Sequence, residues 1–435
     1  MWCDVIWRFG YTLVLWLMLP LVMMRLWRRG FREPSYRLAW GERFGFYTDI
    51  PSRAAEQTTI WVHAVSLGEV HAAKPLIEKL LASYPGARIL FTQMTATGRD
   101  AALSMFAGRV EISWLPYDYP YAVRSFVDHF KPDIGIFIET EVWFNLIEAC
   151  QAASVPLLLA NARLSEKSCL GYLRIAPLAR RAFGAFAAIA AQTAADAARF
   201  SRLGATSPAV MGNLKFDAAA VSGSDQLAQV FKTRFGGRSV FLAASTRDGE
   251  EELLLDALAE IPLKGALVVI VPRHPDRFDA VAESMKKRGL SFLRRSTDAD
   301  IPNDCQYVLG DSVGEMGAYY RASDVAFVGG SLLDFGGQNL IEACAAGVPV
   351  LIGPYPRNFE DAAEMAIREG AALRLKNANE VVARAALLLA NSQIRGEMAS
   401  AGRDFSARYQ GATDKMFAIA AGLLETRSPS KARRI

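Results

Sequence analysis

Cysteine is scarce in this chain, and none of it is paired by spacing. Cys3, Cys150, Cys169, Cys305 and Cys344 are the five in 435 residues, odd in number and without a CxxC pair. That excludes a disulfide framework and a cysteine zinc site, and it suits a reducing compartment. G-x-G-x-x-G, G-x-x-x-x-G-K-[ST] and H-E-x-x-H are all missing, so dinucleotide oxidoreductases, P-loop NTPases and zinc hydrolases lack their signatures. Charge of one sign is not in excess either. The net charge is +4, which is mild and does not argue for nucleic acid, whose binding usually demands a concentrated basic patch. Short-period repeats and low-complexity tracts are absent too.

What is present is a globular composition, 51% hydrophobic and 22% charged. A chain of this length exceeds one typical core, so two domains are expected. The N-terminus stands apart. Between Arg8 and Arg25 runs FGYTLVLWLMLPLVMM, without a charge. It is short for a span of about 20 residues, but arginines at both ends can snorkel and extend it. No A-x-A-like cleavage site follows, so the segment reads as an anchor rather than a removed signal. Arg25, Arg28, Arg29, Arg32 and Arg37 follow it, whereas Asp4 and Arg8 precede or open it. The positive-inside rule then puts the rest of the chain in the cytoplasm, with those arginines able to meet anionic head groups. Because strand patterning starts only near Thr58, residues 1–25 look dispensable for a folded catalytic body.

From there apolar runs alternate with helical patterns. TIWVHAV, ARILFTQ, VEISWLP, IGIFIET, VPLLLANA and AIAAQ form one series of strand candidates. SVFLAAS, GALVVIVP, LSFLRR, QYVLGD, VAFVG and PVLIG form a second, after the small, polar stretch AAAVSGSDQLAQ. Near-continuous apolar strands separated by helices predict parallel sheets covered on both faces. The expected α/β architecture is two doubly wound Rossmann-like domains facing a cleft, behind a membrane-anchor helix. The expected divisions are 1–30 for the anchor, 31–217 for a first domain and 218–425 for a second.

Ligands of such sheets bind outside the carboxyl ends of the strands, which singles out certain residues. Glu69 follows the first strand and a Gly turn; a helix dipole there favours its ionised form, able to take a proton. Glu139 and Glu141 end the fourth strand in FIETEVWFN, and capping is an equal reading for them. Arg163 in NARLS could hold an anion through its fork, and Lys215 in GNLKFD could neutralise a phosphate as a point charge. His63 and His71 read as structural. Ser245 or Thr246 is placed to cap a helix. Arg273 is held between Pro272 and His274-Pro275. Gly314, Glu315 and Met316 open a helix ending in Tyr319 and Tyr320. GG-x-N-x-x-E sets Asn339 and Glu342 three apart on one expected helix face, where a carboxylate can take both ribose hydroxyls. Asp298-Ala-Asp300 spells the metal-binding DxD of another sugar-transfer fold, but it precedes Ile301-Pro302 in a polar loop and is read as incidental.

These motifs, with YRLAWGERFGFY, TQMTATG, LPYDYP, NARLSEKS, PRHPDRF, GDSVGEM and GGQNLIEACAAGVPVLIGP, run in order along almost the whole chain. The chain resembles the Kdo (3-deoxy-D-manno-octulosonic acid) transferases of lipopolysaccharide biosynthesis. The resemblance implies an inverting glycosyltransferase of the GT-B fold with its active site between the domains. It implies CMP-Kdo as donor, the lipid A precursor lipid IV-A as acceptor, and no metal or other cofactor. It also implies the inner membrane as location, with the catalytic domains on the cytoplasmic side. Carried over, Glu69 is the base, and Glu139 and Lys215 stabilise the transition state. Pro272, Arg273, Gly314, Glu315, Met316, Asn339, Leu340, Ile341 and Glu342 bind CMP. Gln338, Leu340 and Tyr355-Pro356-Arg357 depart from the pattern of many relatives beside the nucleotide loop. Two alternatives stand beside this reading. One is another GT-B enzyme such as a nucleotide-sugar epimerase, whose soluble substrates would need no anchor. The other is a silent lipid-binding scaffold, which would tolerate loss of Glu69.

Overall fold

Runs of β-branched and aromatic residues with no polar interruption cannot leave either face in water, so they pair where both faces are covered. In a computed structural model that describes residues 2–47, 57–220, 225–297 and 300–427, they form two parallel sheets. The first contains β1 (Thr59–His63), β2 (Arg88–Gln93), β3 (Glu111–Trp114), β4 (Ile134–Ile138), β5 (Leu157–Ala162), β6 (Ala188–Ala191) and β7 (Ala209–Val210). Its order is β3-β2-β1-β4-β5-β6-β7. The second contains β8 (Val240–Thr246), β9 (Leu267–Pro272), β10 (Phe292–Arg294), β11 (Tyr307–Leu309), β12 (Val325–Val328), β13 (Val350–Ile352) and β14 (Ala372–Arg374). Its order is β10-β11-β9-β8-β12-β13-β14. The expected strands are there. The short edge strands β7 and β14 were not foreseen, because two or three residues carry no readable periodicity.

Alternation sorts each strand between two cores. In the first sheet Ile60, Val62, Ile134, Ile136 and Ile138 pack on one face, and Trp61, Phe137, Leu157 and Leu159 on the other. Strand order reverses at β1/β4 in one sheet and at β8/β12 in the other, which opens a crevice at their carboxyl ends.

The chain divides into two compact units: residues 1–218 with 410–435, and residues 219–409. This departs from the sequence-based division at both ends. The helix Ala412–Arg427 packs on the first unit, where Met416, Ala420 and Leu424 join one of its cores. Asp217 fixes its start by accepting from the amides of Gly411 and Thr413 at 2.7 and 2.6 Å. The N-terminal helix, Trp2–Arg32, also belongs to that unit. It is long and apolar enough to cross a membrane, yet one stripe of it, through Arg8, Tyr11, Thr12, Leu15, Leu19, Val22 and Leu26, is partly or wholly covered. It is thus engaged with the rest of the first unit along that stripe. Asp298 of the DxD lies outside the described residues, as does the C-terminal SPSKARRI.

Candidate active site

In the first unit, Glu69 and Glu139 flank the β1/β4 crevice, one following each strand. Ser66 caps the helix Leu67–Ser83. Glu69, three residues on, turns back to accept from the Val65 amide at 2.7 Å and the Ser66 hydroxyl at 2.8 Å. That is the reciprocal capping arrangement; it also fixes the carboxylate's rotamer and leaves lone pairs for a substrate hydroxyl. The helix dipole does not dominate here, contrary to expectation. Burial raises Glu69 to about 7, assisted by the charge of Glu139 and opposed by the bonds from Val65 and Ser66 and by Lys215.

Glu139 adopts φ +63°, a left-handed conformation that non-glycine residues hold only when their surroundings impose it, as at active sites. Its amide is held by the Ala160 carbonyl at 2.9 Å, and its carboxylate lies 3.5 Å from Lys215 Nζ. Glu141, two residues on, accepts from the Trp143 indole at 3.0 Å. Burial raises it to about 8, with the charge of Glu69 adding.

Lys215 sits in the first turn of the helix Leu214–Ala220. What places it is a strand-end asparagine whose role the sequence did not reveal. Asn161, fully buried and at φ +54°, accepts from the Leu214 amide at 3.0 Å. Asn213 accepts from the Lys215 amide at 3.0 Å and donates to Gln192, which in turn donates to the Asn161 carbonyl. Arg163 is half-buried at the end of β5. His63 is structural, as read: it is buried, with Nδ1 2.9 Å from the Thr92 hydroxyl, and burial lowers it to about 3, so it is neutral.

The second unit gathers the nucleotide candidates near the ends of β8, β9, β11 and β12. Pro272 closes β9, and Arg273 follows it, exposed, with its amide held by the Thr246 carbonyl at 2.9 Å. Arg247, not singled out from the sequence, lies 2.9 Å from His274 Nε2 and over the Phe335 ring at 4.8 Å. Burial and these two guanidinium groups depress His274. Neither Ser245 nor Thr246 caps a helix. The helix Glu250–Glu260 starts after Gly249, and the Thr246 hydroxyl instead donates to Glu251 at 2.9 Å.

Gly314 and Glu315 precede the helix Met316–Arg321, with Glu315 3.2 Å from Arg295. Asn339 lies just before the helix Ile341–Ala345 rather than on its face, because Gly336 and Gly337, at φ +89° and +77°, hold the chain out of right-handed helical conformation ahead of that point. It still meets Glu342: its amide donates to that carboxylate at 3.0 Å, and its carbonyl oxygen accepts from the Ile341 amide. Burial raises Glu342, partly offset by the Asn339 bond and the Arg273 charge. Leu340 and Ile341 are buried, so their side chains are not open to a ligand.

The sequence concealed one residue behind this loop. Glu250, fully buried, accepts from the amides of Arg247, Gly330, Ser331 and Leu332 at 2.6–2.9 Å. It ties the end of β12 to the start of its own helix. Beside it Gly329 runs so close to β8 that a Cβ would stand 2.6 Å from the Ser245 carbonyl oxygen. In the sequence Glu250 is one of three consecutive glutamates and nothing separates it from its neighbours. Among the described residues, no group of His, Cys, Asp and Glu is arranged to hold a metal.

Two doubly wound units, each with polar groups at its switch point, have the GT-B fold, and the family matches make the chain a glycosyltransferase. Residues 251–405 match the family "Glycosyl transferases group 1", and residues 38–218 match "3-Deoxy-D-manno-octulosonic-acid transferase (kdotransferase)". The chain belongs to the 3-deoxy-D-manno-octulosonic acid transferase family. It is 40% identical to the transferase of that name from Bordetella pertussis, over 93% of this chain and 96% of the relative. It is 34% identical to the one from Haemophilus influenzae, over 96% and 99%. A putative UDP-N-acetylglucosamine 2-epimerase from Listeria monocytogenes shares the fold, with a TM-score of 0.57 and 16% identity over 85% of this chain and 97% of that one.

Proposed function

We propose that this protein transfers Kdo from CMP-Kdo to the lipid A precursor lipid IV-A with inversion of configuration, and that Glu69 is the general base. The observation that carries this is the Glu69–Glu139–Lys215 cluster at the β1/β4 switch point, in a chain whose relatives are named Kdo transferases. Inversion needs one base on the face of the sugar opposite the leaving group. A carboxylate whose proton affinity lies near neutrality is matched to that task, since about half of it is ionised there and it is basic enough to take a proton. Lys215, beside Glu139, stabilises charge in the transition state. Arg273 and Arg247 neutralise the phosphate of CMP, while Glu342, oriented by Asn339, accepts from the ribose hydroxyls. With that charge supplied by the chain, the reaction needs no metal and runs in excess chelator.

The location proposed is the cytoplasmic face of the inner membrane. The outer face of the N-terminal helix exposes Phe9, Trp16, Leu17, Leu21, Trp27 and Phe31, and arginines crowd its C-terminal end. Its inner stripe is engaged with the protein, so it lies in the plane of the leaflet rather than across it.

The deciding experiment is mass spectrometry of lipid IV-A incubated with CMP-Kdo and the purified enzyme. A mass increase of one or more Kdo residues is expected. Unmodified lipid IV-A with active enzyme would move the acceptor assignment elsewhere.

A further inference from the structure

The N-terminal helix makes specific polar contacts. The Arg8 guanidinium donates to Asn145 Oδ1 at 3.2 Å and pairs with Glu148 at 3.1 Å. The Tyr11 hydroxyl donates to Asp118 Oδ2 at 2.9 Å, and the Tyr11 ring meets Phe144 edge-on at 5.0 Å. Thr12 Oγ1 accepts from the Asn145 side-chain amide at 3.3 Å. A purely lipid-anchoring helix needs none of these.

The contacts converge on one place. The helix Phe144–Ala152 has no side-chain cap of its own, because Trp143 stands at its N-cap. Asp118, from a distant loop, does the capping instead. Its two oxygens accept from the amides of Asn145 and Leu146 at 2.9 and 2.8 Å, and the Asn145 side chain donates to the Asp118 carbonyl at 2.7 Å. Asp118 is 2% exposed and Asn145 1%. The segment 139–143 therefore hangs between β4 and a helix start held by Asp118, Tyr11 and Arg8, and it carries both Glu139 and Glu141.

We propose that Tyr11 and Arg8 are positioning residues for this catalytic segment: they hold the tip of the helix Phe144–Ala152 through Asp118 and Asn145, and so set where Glu139 and Glu141 stand relative to Glu69. The N-terminal helix is then part of the frame of the active site as well as its attachment to lipid. The inference rests on Glu69 as base with Glu139 beside it.

The test uses full-length enzyme with lipid IV-A in detergent, so that membrane delivery is not at issue. Tyr11→Phe keeps the ring against Phe144 and removes only the hydroxyl. Arg8→Gln, at a half-exposed site, serves if Tyr11→Phe melts early. Each should lower kcat about three- to tenfold, the scale of one lost buried hydrogen bond. KM for CMP-Kdo should stay unchanged, and the acidic limb of the pH–rate profile should shift. Glu69 faces Glu139 and Lys215, so moving Glu139 changes its titration, whereas a reduced fraction of active protein does not move a pH midpoint. Wild-type kcat and an unmoved limb in both variants would overturn the proposal. Glu69→Gln in the same assay separates the two ideas. If it stays active, the base reading fails; if it is inactive while Tyr11→Phe and Arg8→Gln behave as wild type, the positioning role alone fails.

Discussion

At the scale of the residue, Glu69 does two jobs at once. It closes the capping arrangement with Ser66, and it holds a proton affinity near neutrality because burial outweighs its bonds. Glu69→Gln keeps the shape and loses the base. Transfer should fall roughly 10²–10⁴-fold while CMP binding persists, since every proposed nucleotide contact lies in the second unit. Turnover near wild type in a preparation free of contaminating enzyme would remove Glu69 from that role. The pH dependence follows in sign: the base works ionised, so activity should rise with pH up to about 7 and level off above it. Glu139→Gln removes a charge that pushes Glu69 upward, so the residual activity should show its acidic limb at lower pH. A limb that moved to higher pH would contradict the placement of these carboxylates.

At the scale of the element, the loop after β12 depends on Glu250. Its carboxylate accepts from four backbone amides. Buried donors left unpaired cost about 1–3 kcal/mol each, so Glu250→Ala should destabilise the second unit by at least about 3 kcal/mol. For a unit of this size that lowers the melting temperature by roughly 6–12 °C, measurable by calorimetry. A melting curve unchanged within a degree or two would show that the loop finds other partners. The Asn161 network around Lys215 works in the same way: a buried side chain accepts from a backbone amide and so fixes where a helix begins. Neither device has a local pattern, which is why neither was visible before the chain was folded.

At the scale of the whole molecule, the net charge of +4 hides a local concentration of positive charge, because the arginines after residue 24 are clustered. Each basic residue near an anionic surface contributes about 1 kcal/mol. Full-length protein should float with vesicles containing phosphatidylglycerol, and salt should weaken but not abolish the binding, since the outer face of the helix remains apolar. Nitroxide labels at Phe9, Leu17 and Phe31 should report one shallow depth. Between Phe9 and Phe31 an α-helix rises roughly 33 Å, about the thickness of the hydrocarbon core. A spanning helix would therefore put Leu17 deep and the end positions near opposite surfaces, and that result would refute the in-plane arrangement.

Local pattern was enough for much of this protein. Continuous apolar strands, helical periodicity and Gly turns are properties of neighbouring residues, so the two parallel sheets and the strand-end carboxylates Glu69 and Glu139 could be read along the chain. So could the nearness of Asn339 to Glu342, three residues apart, although Asn339 stands before the helix and not on its face. Contacts between distant segments could not. The sequence does not reveal that Asp118 caps a helix starting 26 residues later, that Tyr11 joins it from the N-terminal helix, that Ala412–Arg427 returns to the first unit, or that Glu250, of three consecutive glutamates, accepts from the amides of a loop 80 residues away. The proton affinity of Glu69 is of the same kind. A helix start alone favours its ionised form, and only the packing that removes water from around it reverses that preference.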